Sequence, residues 1–142
     1  MKYTVNKIDA AVDQLDWAIK LFIEHKAYVP SITLAGAAEE ILGEAVSSEA
    51  SYRKLKESLA LDSGVDEKIV GQEYLNKTKN WLKHWKSMKD DENLEIELET
   101  EAIQYLIRAI RNLYTHDNTI SSQTLGLFKW IRENRKDLTN GL

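Results

Sequence analysis

Tyr74-Leu75-Asn76-Lys77-Thr78-Lys79-Asn80-Trp81-Leu82-Lys83-His84-Trp85-Lys86-Ser87-Met88 reads as one amphipathic helix, and the rest of the chain is interpreted outward from it. At about 100° per residue, Tyr74, Trp81, Trp85 and Met88 fall on one narrow stripe, with Thr78 and Leu82 beside it. That stripe predicts a core-facing side. Lys79, Lys83 and Lys86 fall on the opposite side, and Asn76, Asn80, Lys83, His84 and Ser87 form a polar flank between the two. Asn80 and His84 are four apart and so neighbours on the helix surface.

The chain has 142 residues, which by size predicts one domain spanning 1–142 that buries about two-thirds of its unfolded surface. Its 43% hydrophobic and 30% charged content is that of an ordinary globular protein. A single proline and six glycines leave little room for hairpins, and the charged, leucine-rich remainder favours helix. With no cysteine, disulfides, thiolate zinc sites and cysteine nucleophiles are excluded. No signal-peptide pattern and no long apolar run is present, so the expectation is a cytoplasmic protein with no membrane span.

A net charge of -4 argues against a general nucleic-acid binder, yet the charges are segregated. Tyr74 to Lys89 carries five lysines and no acid, and Asp90 to Glu101 carries seven acids and no base. One reading is two solvated faces that attract each other or a partner subunit; the other is a local cationic surface for phosphates.

In the first part of the chain, Val5, Ile8, Val12, Leu15, Ile19 and Phe22 step 3-4-3-4-3, predicting a helix from about Thr4 to His25. Trp17, Leu21 and Ile23 widen its apolar face. Pro30-Ser31 opens a second helix to Ser47, burying Leu34, Ala38, Ile41, Leu42 and Ala45. Gly36 and Gly43 predict a close helix approach on it. Glu40 and Glu44 point away from the core, whereas Glu39 sits at its edge. A partly buried carboxylate needs a partner, and the lysines or the histidine of the central helix are the candidates; otherwise Glu39 reaches water.

Residues 49–61 predict a short helix with Tyr52, Leu55 and Leu59 inward, and Ser63-Gly64-Val65-Asp66 has capping-box spacing. Leu94, Ile96 and Leu98 alternate with Glu95, Glu97 and Glu99, an extended segment lying across the helices. A helix from about Thr100 to Tyr114 buries Ile103, Leu106, Ile107, Ile110 and Leu113. The last, from about Ser121 to Arg135, buries Leu125, Phe128 and Ile131. The fold class is therefore all-α, five or six helices with one short extended segment.

No glycine-rich phosphate loop, zinc-binding histidine pair or serine triad is present, and His25, His84 and His116 are too scattered for a metal site. One pattern occurs twice: Lys79-Asn80-Trp81-Leu82-Lys83-His84 and Arg111-Asn112-Leu113-Tyr114-Thr115-His116. It resembles the Arg-polar-x-x-x-His signature of the HEPN superfamily, all-helical domains that include metal-independent endoribonucleases. The Leu34 to Gly43 helix followed by Asn80-x-x-Lys83-His84 is also similar to a group of uncharacterised bacterial proteins of HEPN-like shape, over most of the chain.

The resemblance implies a HEPN-like helical bundle, commonly a homodimer with facing motifs, acting on or binding RNA without metal or cofactor. It implies that Arg111 or Lys79 holds the scissile phosphate and that His116 or His84 moves a proton during attack by a ribose 2′-hydroxyl. A histidine suits that task because its ordinary pKa is near neutrality. The Lys79 copy departs from the pattern, since lysine lacks arginine's planar two-point grip on phosphate. Residues five apart lie about 140° around a helix, so either pair converges only if the helix ends between them or a second subunit intervenes. For Arg111 and His116 the expected end at Tyr114 allows it. The bland reading of that pair is a helix C-terminus with a favourable cation. The alternative to an RNA-directed enzyme is a non-catalytic interaction module with a polar pocket formed by Glu39, Asn80, Lys83 and His84.

Overall fold

The computed structural model describes residues 1–84 and 92–140, and their regular structure is all helical. Five helices are long: α1 Lys7–His25, α2 Tyr28–Val46, α3 Ser51–Ser63, α6 Leu98–Asp117 and α7 Ser122–Asn134. Three are short: α4 Glu67–Ile69, α5 Lys77–Lys83 and α8 Lys136–Thr139. The alternating segment at Leu94 to Leu98 is non-helical up to Glu97 and pairs with no strand among the described residues. Among these residues no helix is long and apolar enough to cross a membrane.

α1 begins later than the periodicity alone indicates because Asn6 caps it. The Asn6 side chain accepts from the backbone N–H of Ile8 at 2.8 Å and Asp9 at 3.2 Å. Val5 is consequently outside the helix and exposed, while Leu15, Ile19 and Phe22 are buried as expected. Trp17 is also largely exposed. α2 starts three residues ahead of the expected Ser31, since Pro30 sits in the first turn where no N–H is required. It lies between α1 and α6, so it buries Ile32, Ala35, Ala38 and Leu42 against two neighbours. Ala45, expected inside, is exposed.

α2 and α6 run in the same direction. The Tyr28 hydroxyl donates to Glu99 at 2.9 Å near their starts, and Glu39 meets Arg108 further along. α6 buries Ile103, Leu106, Ile110 and Leu113 as its spacing requires. α7 packs on α1, with Trp130 edge-on to Phe22 at 4.8 Å. Ile131 is buried as expected, but the other two buried positions are Thr124 and Leu127, each one residue before the expected Leu125 and Phe128, which face outward. Ser121 caps the helix, its hydroxyl accepting from Thr124 N–H at 3.1 Å.

The central stretch departs most from the single helix expected of it. A π-helical turn, Val70–Leu75, runs into Asn76, where the helical conformation breaks, and α5 then restarts. The cause is Tyr105 of α6. Its hydroxyl donates to the carbonyl of Leu75 at 2.9 Å and accepts from the N–H of Lys79 at 3.2 Å. Leu75 and Lys79 are the i, i+4 pair that a continuous helix would bond directly, so the hydroxyl is inserted in the ladder and breaks it.

The break shifts the inward side of α5. Thr78 is buried and Leu82 packs on the core, as expected beside the stripe, but Lys79, expected outside, faces inward, while Tyr74 (66% exposed) and Trp81, expected inside, lie at the surface. Lys79 is only 2% exposed: its stem lies on Gly36 of α2, and its ammonium reaches Glu40 at 2.6 Å. Trp85, Lys86, Ser87 and Met88 lie outside the described residues. Gly36 thus has the close approach read from it, though to a side chain rather than a helix backbone. Gly43 has one too, against the Asn112 amide of α6.

A Cβ at Gly36 would stand 2.5 Å from Cδ of the buried Lys79, whereas one at Gly126 meets nothing within 4 Å. Gly36→Ala should therefore destabilise by about 1–3 kcal/mol, and Gly126→Ala should stabilise by about 0.5–1 kcal/mol. Urea denaturation of the two variants checks both signs.

Candidate functional site

Along the buried side of α6, Glu101, Tyr105, Arg108 and Asn112 step 4-3-4, a polar stripe within an otherwise apolar face. Each side chain holds a different part of the α2–α5 region. Glu101 accepts from the Thr78 hydroxyl at 3.0 Å, and Tyr105 bridges Leu75 and Lys79 as above. Arg108 donates to the Leu75 carbonyl at 3.1 Å and to Glu39 at 2.8 Å, with a longer reach of 3.4 Å to Asn76. The Asn112 amide donates to the Glu39 carbonyl at 3.2 Å and accepts from Ser51 N–H at 2.8 Å.

The Leu75 carbonyl, released by the helix break, is thereby satisfied twice over. Arg108 also lies over the Tyr105 ring, 4.4 Å from its centroid. Burial is the largest influence on the Tyr105 hydroxyl and raises its pKa, keeping it protonated as the donor this geometry needs.

Glu39 is buried as its position indicated, but its partner is Arg108, not Lys83, His84 or Asn80. α6 lies directly beside α2, whereas the C-terminal end of α5 carries Lys83 and His84 out to the surface. Glu40 is exposed, pointing away from the core as expected, and it is the carboxylate that the central lysines take: Lys79 at 2.6 Å and Lys83 at 3.9 Å. Burial alone would raise the Glu40 pKa, but the hydrogen bond and charge of Lys79, helped by Lys83, hold it below the usual carboxylate range.

An open polar cleft of about 610 Å³ lies between α2, α3 and the Asn76–Lys79 junction. Glu39, Asn76, Lys79 and Asn112 line its α2 and α6 side, and Tyr52, Lys56 and Glu57 line its α3 side. Of the four residues expected to form a pocket, only Glu39 lines it. Asn80 is half-buried and Lys83 and His84 are exposed elsewhere. The residues that hydrophobic periodicity missed are Tyr105, Arg108 and Asn112; the available signal was their regular recurrence at buried spacing.

The two motif copies fare differently. Lys79 is enclosed and paired with Glu40, while His84 stands beyond the helix end in extended conformation. α6 does not end at Tyr114 but runs unbroken to Asp117, because Leu113 still packs and Asn118 caps the end with a left-handed φ of 58°. Arg111 and His116, both exposed, therefore project about 140° apart. Arg111 lines a second, apolar groove that His116 does not. Among the described residues no group of three or more histidine, cysteine, aspartate or glutamate side chains could hold a metal ion.

No family model, curated protein or solved structure matches the chain.

Arg108→Met leaves Glu39 buried and uncompensated, so it should cost about 3–5 kcal/mol in a denaturant melt. Adding Glu39→Leu to it should restore much of that loss. Tyr105→Phe strands the Lys79 N–H and should cost about 1–3 kcal/mol. For Glu40 the sign is that of a depressed carboxylate: its stabilisation is present above the unfolded pKa and lost as pH falls through the lower folded value. The difference in Tm between the parent and Glu40→Gln should accordingly shrink on acidification below about pH 4.5.

Proposed function

We propose that this chain is a non-catalytic helical interaction module of HEPN-like shape, with the cleft between α2 and α3 as its binding face. The observation that supports it is the use α6 makes of its motif. Asn112 is buried, tying α2 to the start of α3, and the two reactive side chains diverge on an unbroken helix. Within one subunit Arg111 and His116 give no common surface on which a phosphate could meet both a cation and a base. The cleft presents Glu40, Glu44 and Glu57 beside Arg53 and Lys56, a mixed-sign set whose exposed pairs, such as Glu44 with Arg53, a polar partner offering both signs of charge can exchange for its own.

A second reading is favoured by one feature: Arg111 and His116 are both exposed near the C-terminal end of α6. In a homodimer, Arg111 of one subunit facing His116 of the other would form a metal-independent endoribonuclease site. An unprotonated histidine takes the 2′-hydroxyl proton there, and the guanidinium steadies charge developing on phosphorus.

The two readings separate in one experiment. Purified protein is incubated with mixed RNA in chelator, alongside Arg111→Ala, His116→Ala and an equimolar mixture of the two variants allowed to exchange subunits. The module reading expects intact RNA throughout. Cleavage by the parent, lost in each variant and regained in the mixture, would replace it with the dimeric nuclease.

A further inference from the structure

The groove beside Arg111 differs in kind from the polar cleft. It runs between α3 and the facing parts of α6 and α7, with a volume of about 600 Å³. Its walls are Leu55, Ile110, Tyr114, Ile120 and Phe128, with Arg111 on the α6 side. Tyr114, Ile120 and Phe128 are all substantially exposed, so the hydrocarbon surface is open to solvent.

Charge distinguishes the two sites further. In the cleft the charges are largely matched within the protein: Glu39 with Arg108, Glu40 with Lys79, Glu44 with Arg53. In the groove Lys54 is paired with Glu49, but none of the ion pairs among the described residues engages Arg111. Thr115 bonds the Arg111 backbone carbonyl, at 2.9 Å, and among the described residues no hydrogen bond or ion pair holds the guanidinium. The site is thus one planar cation at the side of an apolar trough, within the size range of small-molecule pockets.

We propose that this groove binds a free anionic amphiphile, a medium-chain carboxylate whose head is held by Arg111 and whose hydrocarbon lies along Phe128, Ile120 and Leu55. The guanidinium makes a two-point hydrogen-bonded contact with a carboxylate. The apolar walls gain from each methylene they cover, so affinity rises with chain length until the trough is filled. A neutral alcohol of the same length satisfies the walls and not the cation; an alkylammonium places like charge on Arg111. The inference does not rest on the module reading, because it concerns the other side of α3.

Isothermal titration with octanoate, decanoate, 1-decanol and decylammonium, each below its aggregation threshold, tests it. Decanoate should bind saturably at one site per chain, about tenfold more tightly than 1-decanol, with decylammonium weaker still and octanoate between decanoate and no binding. Arg111→Gln should weaken decanoate about tenfold while leaving 1-decanol unchanged. Phe128→Ala should weaken both by about tenfold. Both positions are exposed, and an unchanged melting curve confirms folding; should Phe128→Ala unfold, the Arg111→Gln comparison decides alone. Equal binding of decanoate and 1-decanol, or an unaltered decanoate affinity in Arg111→Gln, overturns the proposal. So does a concentration-dependent dimer, dissolved by Phe128→Asp, in a protein that takes up no decanoate: the groove would then belong to a second copy of the chain.

Discussion

One hydroxyl group determines the shape of the middle of this molecule. The Tyr105 oxygen stands between the carbonyl of Leu75 and the N–H of Lys79, bonded to both. A direct bond there would carry the helix onward with Tyr74 and Trp81 toward the core. With the hydroxyl interposed, the helical conformation breaks at Asn76 and restarts with Lys79 beneath it. The shift then demands a partner for a buried ammonium and space for its stem. Glu40 supplies the first and Gly36 the second.

The same α6 face carries Arg108 and Asn112, so three neighbouring polar groups fasten the α3–α5 segment to α2 and α6. This fastening is costly to break from one side, since the Tyr105 hydroxyl, the Asn112 amide and the terminal nitrogens of Arg108 are withdrawn from water and bonded to partners. A wholly apolar seam would bind at least as strongly but would tolerate sliding. Here the bonded atoms define where each helix sits along its neighbour. That positioning separates the balanced cleft on one side of α3 from the apolar groove on the other.

Periodicity made much of the outer framework legible. The 3-4 spacing of Leu15, Ile19 and Phe22, and of Ile103, Leu106, Ile110 and Leu113, marks faces that are buried. Gly36 and Gly43 marked close approaches, and Glu39 a carboxylate in need of a partner. The central helix was illegible for a physical reason. A hydrophobic pattern assumes an unbroken ladder and lysines that stay in water, and both assumptions fail once a tyrosine from sequence-distant α6 enters the backbone. In α7 Ile131 was legible, but a pattern that reads only apolar residues passed over the buried Thr124 and took the exposed Leu125 and Phe128 for core. Of the candidate site, Arg111 and His116 were identifiable as residues, while their divergence depended on where α6 ends.

α3 contains no fully buried side chain, although a cavity lies along each of its flanks. Its amides are therefore protected by its own ladder and a few junction contacts, such as Ser51 N–H to Asn112, and not by a core. Such a segment opens in a local excursion of low free energy while α1, α2 and α6 remain closed. Amide hydrogen exchange would divide the molecule along that line, with α3 exchanging long before those three helices. The element that separates the two sites is also the one whose detachment would merge them into a single trough.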